Sequence, residues 1–196
     1  MKRSERRNSA ESIRARLLDV AKNRREDFQL ILAQYAIERF LYRLGQSAFQ
    51  DQFVLKGAML FVLWDGRLHR PTRDLDLLGY GSPDLERLSG IFREISAIAS
   101  DDGLLFDTTD LRVETIKEDA DYEGVRILFL ARLAGARIPV QIDVGFGDAV
   151  LSTPATFPVL LPLEPPRIQV YQRETAIAEK FQAMVVLDIR NSRMKD

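Results

Sequence analysis

The chain has 196 residues, 46% hydrophobic and 29% charged, with a formal net charge of -1, a profile that leaves room for a sizeable core in one or two domains. It contains no cysteine and one histidine, His69, which excludes disulfides, thiolate catalysis and zinc sites built on cysteine or several histidines. A nucleic-acid partner would have to be met by a local basic patch rather than by overall charge. No uninterrupted apolar run approaches the roughly 20 residues that span a bilayer, and no apolar signal core follows the basic start MKRSERRNSAES. The expectation is a cytoplasmic protein with no membrane partner.

In chain order, a first helix is predicted over 9–22, where Ile13, Leu17, Leu18 and Ala21 recur at spacings of three and four. A second is predicted over 24–44, with Phe28, Ile31, Leu32, Tyr35, Phe40 and Leu41 in a broad stripe and Gly45 as its C-terminal cap. The arginines on these helices, Arg14, Arg16, Arg24, Arg25, Arg39 and Arg43, read first as a solvated face and second as an RNA-binding surface. Residues 53–78 read as a strand, a glycine, a short helix, a basic loop and a second strand. Ser82-Pro83-Asp84 signals another helix start, with Asp102-Gly103 as its stop. The period then changes to two, giving strands over 111–117, 125–133 and 137–144. Residues 153–167 hold five of the eight prolines and read as a connector, since proline fits neither a helix interior nor a central strand. A short strand over 168–171 and a helix over 174–189 follow. The order is that of an α+β protein: a helical segment (1–50) packed on a core (51–152), the connector (153–167), and the start of a C-terminal helical region (168–196).

The chemistry concentrates in that 53–78 stretch. Asp74 and Asp76 are two apart on a predicted strand, so their carboxylates share one face and can converge on a hard cation. With oxygen donors only, magnesium or manganese fits better than zinc. The bland reading is a pair of surface aspartates bridged to Arg70 and Arg73. Gly57 precedes a helix start, where backbone N–H groups can meet a phosphate. Asp143 is a lone acid in another apolar strand. Beside the first pair it would make three carboxylates for a metal-bound triphosphate and an in-line transfer; alternatively it caps the turn before Gly145 and Gly147. Asp148 competes with it but falls in the turn. Lys180 lies on or beside the apolar stripe of the last helix, either snorkelling or aimed at phosphate oxygens. Lys56, Thr72 and Arg73 are further candidates for phosphate contact. His69 has no evident partner for general-base work, and no Walker-type loop, GxSxG or kinase motif occurs.

Taken together, these residues resemble the AbiEii/AbiGii abortive-infection toxins of the nucleotidyltransferase superfamily. The resemblance rests on Lys56-Gly57-Ala58, then Arg70-Pro71-Thr72-Arg73-Asp74-Leu75-Asp76-Leu77, then Gln141-Ile142-Asp143-Val144. It continues through Glu174, Ala178, Glu179, Lys180 and Ala183 into Arg193-Met194-Lys195-Asp196, where the last motif is cut off. Ala58 stands where the family usually has Gly or Ser, and Gln141 where it often has lysine. The resemblance implies a polymerase-β-like core, a mixed sheet flanked by helices, that takes a nucleoside triphosphate and Mg2+ (or Mn2+). Asp74, Asp76 and Asp143 would be metal ligands. Lys56, Gly57, Ala58, Thr72, Arg73 and Lys180 would position the triphosphate, and Asp196 would complete the lower site. A cognate antitoxin is the implied partner, and tRNA a possible RNA acceptor. Two rivals stand beside this reading: a nucleotide-binding regulatory module without transferase activity, and an interaction protein whose acids are surface salt bridges.

Overall fold

The computed structural model of the chain describes residues 9–66, 72–119, 122–147, 150–178 and 181. Two helices lead in. Ser9 caps α1 (Ala10–Arg24) by accepting from the Ser12 N–H at 3.3 Å, and Asp27 caps α2 (Phe28–Gln46) by accepting from the Leu30 N–H at 3.0 Å. The break between them therefore falls at 25–27, later than the apolar spacing suggested, with Arg25 closing α1 at φ 57°. Gly45 is not a cap. It lies inside α2, whose C-cap is Ser47, and a Cβ on it would stand 2.3 Å from the carbonyl oxygen of Arg167. The glycine is there for close packing. A 3-10 turn (Gly57–Met59) runs into the short helix α3 (Leu60–Asp65), which Gly66 ends at φ 73°. Helix α4 (Leu85–Ala97) begins after Asp84 rather than at Ser82-Pro83, because the Asp84 carboxylate accepts from the Arg87 N–H at 2.7 Å.

Seven strands form one mixed sheet: β1 (Phe53–Lys56), β2 (Asp74–Gly79), β3 (Leu105–Asp119), β4 (Tyr122–Leu133), β5 (Ala136–Phe146), β6 (Ser152–Thr156) and β7 (Arg167–Tyr171), in the order β3-β4-β5-β2-β1-β7-β6. The β2–β5 and β1–β7 pairs are parallel and the rest antiparallel. Strand β3 starts six residues before the predicted strand. Its register shifts between Asp107 and Arg112, and such an irregularity breaks the alternation that marks a strand. The proline-rich stretch opens as strand too. Pro154 sits in β6 at the sheet edge, the position where a strand tolerates proline, and β7 continues the same sheet beside β1.

One face of the sheet is apolar and covered by helices. Phe40 of α2 stacks on Phe92 of α4 at 5.6 Å between ring centroids, and both meet sheet phenylalanines: Phe106 and Phe129 against Phe40, Phe53 against Phe92. Leu55, Leu77, Val144 and Val125, in lateral register on four adjacent strands, lie on this buried face.

Two of the helix arginines expected on a solvated surface are buried instead. Arg39 and Arg43 are each 2% exposed, and both grip Asp102, which is fully buried. Arg43 reaches both carboxylate oxygens, through Nη1 at 2.7 Å and Nη2 at 3.1 Å, and Arg39 adds Nε at 3.1 Å. The Leu104 N–H donates to the same carboxylate at 3.1 Å, and Tyr35 donates to the Asp102 carbonyl at 2.8 Å. Burial pushes the Asp102 carboxyl up, but the donors from Arg43, Leu104 and Arg39 outweigh it and hold the group below its ordinary value. Asp102 therefore fastens the loop after α4 to α2 rather than simply stopping a helix. Neighbouring Glu38, also buried, accepts from the Leu160 N–H at 2.7 Å and lies 3.7 Å from Arg39. Burial pushes its carboxyl up to about 7.

Candidate active site

Alternation along the strands sends the polar residues to the sheet's other face. At one register level Lys56 of β1, Asp76 of β2, Asp143 of β5, Arg126 of β4 and Glu114 of β3 stand side by side across five strands. One step along the same face, Asp74 pairs laterally with Gln141. The parallel β2–β5 pairing thus brings Asp143, far along the sequence, beside the Asp74 and Asp76 pair. Asp74 is exposed, Asp76 half-buried and Asp143 buried.

Gly57, directly after β1, has φ 73°, a conformation that favours glycine. A Cβ there would meet the Asp76 Oδ2 at 2.0 Å, so a side chain at 57 and the observed Asp76 cannot coexist. The turn packs its backbone against one of the two strand carboxylates. From the same side, Lys56 reaches across β2: a Cβ on Gly145 of β5 would lie 3.1 Å from its Nζ. Asp76 is thus flanked by an amine and a bare glycine turn.

On the same face, the Asp143 carboxylate is turned toward β4. Arg126 holds it with a two-pronged grip, Nε to Oδ1 and Nη2 to Oδ2, both at 2.8 Å, and Gln141 donates to Oδ2 at 3.2 Å. Those hydrogen bonds raise the Arg126 pKa further above its ordinary value, and the negative charges of Asp143, Asp74 and Glu114 add to the effect. Among the described residues no group of three or more histidine or acidic side chains is arranged to hold a metal ion. The donor chemistry nevertheless suits a hard cation, since Asp74 and Asp76 offer oxygen from one strand face and Asp143 lies on the neighbouring strand.

Of the other candidates, Ala58 is half-buried in the turn after Gly57 and Arg73 is exposed beside Asp74. Thr72 is half-buried and bonds back to the Asp74 carbonyl at 3.5 Å. Lys180, Asp196, Asp148, His69 and Arg70 lie outside the described residues. The backbone is helical over 173–178, where the last helix was predicted. Two participants were missed, Arg126 and Glu114. The only signal for Arg126 was its place on the non-core phase of a strand that alternates Val125, Ile127 and Phe129 with polar or half-exposed positions. No helix among the described residues is long and apolar enough to cross a membrane.

Residues 39–196 match the family model of the nucleotidyl transferase AbiEii toxin of type IV toxin–antitoxin systems. The chain belongs to the AbiEii family. The match spans both strands that carry the acids. Comparison with curated proteins finds no match. Among solved structures, the AbiEii-family chain is similar to JHP933 from Helicobacter pylori, with a TM-score of 0.50 and 18% identity over 80% of this chain and 58% of that one. A second Helicobacter pylori structure, a "putative nucleotidyltransferase", is similar with a TM-score of 0.48 and 19% identity over 79% of this chain and 58% of that one. The chain therefore spans less than two thirds of the length of the structures it matches. The fold is α+β with a polymerase-β-like nucleotidyltransferase core.

Proposed function

We propose that this AbiEii-family chain is a magnesium-dependent nucleotidyltransferase, the toxin of a bacterial abortive-infection system. It moves a nucleoside monophosphate from a nucleoside triphosphate to an acceptor such as tRNA, acts in the cytoplasm and is paired with an antitoxin. One observation carries the reading: the β2–β5 register that sets Asp76 laterally against Asp143, with Asp74 on the same face and the Gly57 turn packed on Asp76.

Asp74 and Asp76 are the metal ligands in this reading, with Asp143 the third. A divalent cation held by these carboxylates would supply positive charge to offset the negative charge that develops during transfer. The chain's own residues bind and orient. The backbone at Gly57 and Ala58 lets the triphosphate come close. The Lys56 amine, with Thr72, Arg73 and Lys180, supplies positive charge and donors to its oxygens. Asp196 completes the lower part of the site. Asp143 takes the proton of the attacking acceptor hydroxyl as its oxygen bonds the α-phosphorus and the α–β phosphoanhydride bond breaks, releasing pyrophosphate.

Incubating the protein with each labelled nucleoside triphosphate, magnesium and total tRNA tests this. Label should enter RNA, and Asp74→Ala with Asp76→Ala should abolish transfer; no transfer, or transfer indifferent to the double substitution, overturns it. A second reading, a nucleotide-binding module that performs no transfer, draws on the fact that Arg126 and Gln141 engage both oxygens of Asp143. Triphosphate binding without turnover on tRNA or protein acceptors would select it.

A further inference from the structure

Asp76 and Asp143 are lateral partners on adjacent parallel strands, and adjacent strands lie about 4.8 Å apart. Backbone distance therefore does not keep these carboxylates from sharing a cation; side-chain direction does. Both oxygens of Asp143 point into the Arg126 fork at 2.8 Å, and Gln141 holds Oδ2 from the same strand. A fork of this kind is among the stronger and more directional pairings a carboxylate makes. A cation drawn to Asp143 would meet the guanidinium's positive charge and find both carboxylate oxygens engaged.

We propose that Arg126 is a positioning residue that withholds Asp143 from the cation site of Asp74 and Asp76, so that the third carboxylate joins only when the guanidinium gives up part of its grip. The inference rests on the reading of those acids as metal ligands. It adds a residue, Arg126, and an order of events: two carboxylates first, the third on release. The grip is built to be released. The Arg126 side chain is 32% exposed and that of Asp143 12%, so water can take up the guanidinium while the carboxylate it lets go turns to the cation. Arg126 also has a second carboxylate, Glu114, at its lateral position on β3.

Mn2+ binding to the whole chain, followed by electron paramagnetic resonance without nucleotide, tests the inference independently of activity. Asp143→Asn alone should change Mn2+ affinity by less than about twofold, while Arg126→Gln should strengthen it about tenfold, a coupling within the range of touching residues. Adding Asp143→Asn to Arg126→Gln should remove that gain, which separates release of Asp143 from mere loss of a positive charge. Arg126→Lys keeps the charge but not the fork; it should give a smaller gain and serves if the glutamine variant fails to fold. The inference is overturned if Asp143→Asn alone costs tenfold, or if the gain from Arg126→Gln survives in the double variant. If Asp74→Asn with Asp76→Asn leaves Mn2+ binding unchanged, the metal-ligand reading falls first and this inference with it.

Discussion

Asp102 and Asp143 are each held through both carboxylate oxygens by an arginine fork, Arg43 in one case and Arg126 in the other. Around Asp102 the grip is closed on every side. Arg39 and the Leu104 N–H fill the remaining acceptor positions, and the Asp102 and Arg43 side chains are 1% and 3% exposed. Around Asp143, Gln141 stands where Asp102 has its second arginine, and the pair opens to the polar face of the sheet. The same two chemical groups thus make an anchor where water is shut out and a restraint that can be undone where water reaches. Removing one partner of a buried pair leaves a charge that nothing can solvate, whereas at a half-open site solvent takes over.

The sharpest way to break this comparison is to remove each arginine in turn. Arg43→Met should destabilise the fold by about 3–5 kcal/mol, because Asp102 would be left charged, buried and short of donors. Arg126→Met should cost roughly 1 kcal/mol, since the pair is open to water on the arginine side and Asp143 keeps its Gln141 donor. Urea unfolding of both variants decides it. Equal costs would mean that burial does not separate the two pairs.

Glu38 sharpens the closed side of the comparison. It shares Arg39 with Asp102 and is pushed up to about 7 by burial, from an ordinary value of 4.5. An acid whose folded pKa is raised binds its proton more tightly when folded. Stability should therefore fall as pH rises from about 4.5 through 7, and level off above that. The full span is on the order of 3 kcal/mol. Glu38→Gln keeps an oxygen for the Leu160 N–H and cannot ionise, so it should match wild type near pH 5 and be more stable at pH 8. Unfolding at these two pH values checks the sign, and a variant less stable at pH 8 would refute it.

Much of this was legible in the sequence because it is local. The strand–glycine–helix stretch, the shared face of Asp74 and Asp76, and the strand meander all follow from spacing. What was not legible depends on partners brought in from far along the chain. Arg39 and Arg43 look like helix surface until the loop at Asp102 is laid against them. Gly45 looks like a helix end until Arg167 presses its carbonyl there. The β2–β5 register, which decides whether Asp143 stands beside Asp76 or one residue away on the other face, is fixed by long-range pairing and not by either strand alone. Pro154 ruled out a central strand correctly, but it did not exclude the sheet edge that β6 takes.

On the open side, the glycine turn beside Asp76 carries the most local information. Gly57 and Gly66 share a φ of 73°, but a Cβ on Gly66 would meet nothing within 4 Å, while one on Gly57 would overlap Asp76. Gly66→Ala and Gly57→Ala should each lose about 1–2 kcal/mol from the left-handed backbone alone. Their difference therefore isolates the push on Asp76. If Asp76 belongs to the cation site, Gly57→Ala should weaken Mn2+ binding while Gly66→Ala leaves it unchanged. Equal affinities would mean that the turn and the carboxylate are packed together for the fold alone. A loss confined to Gly57→Ala would instead tie the glycine to the geometry of the site, through a side chain it lacks rather than one it has.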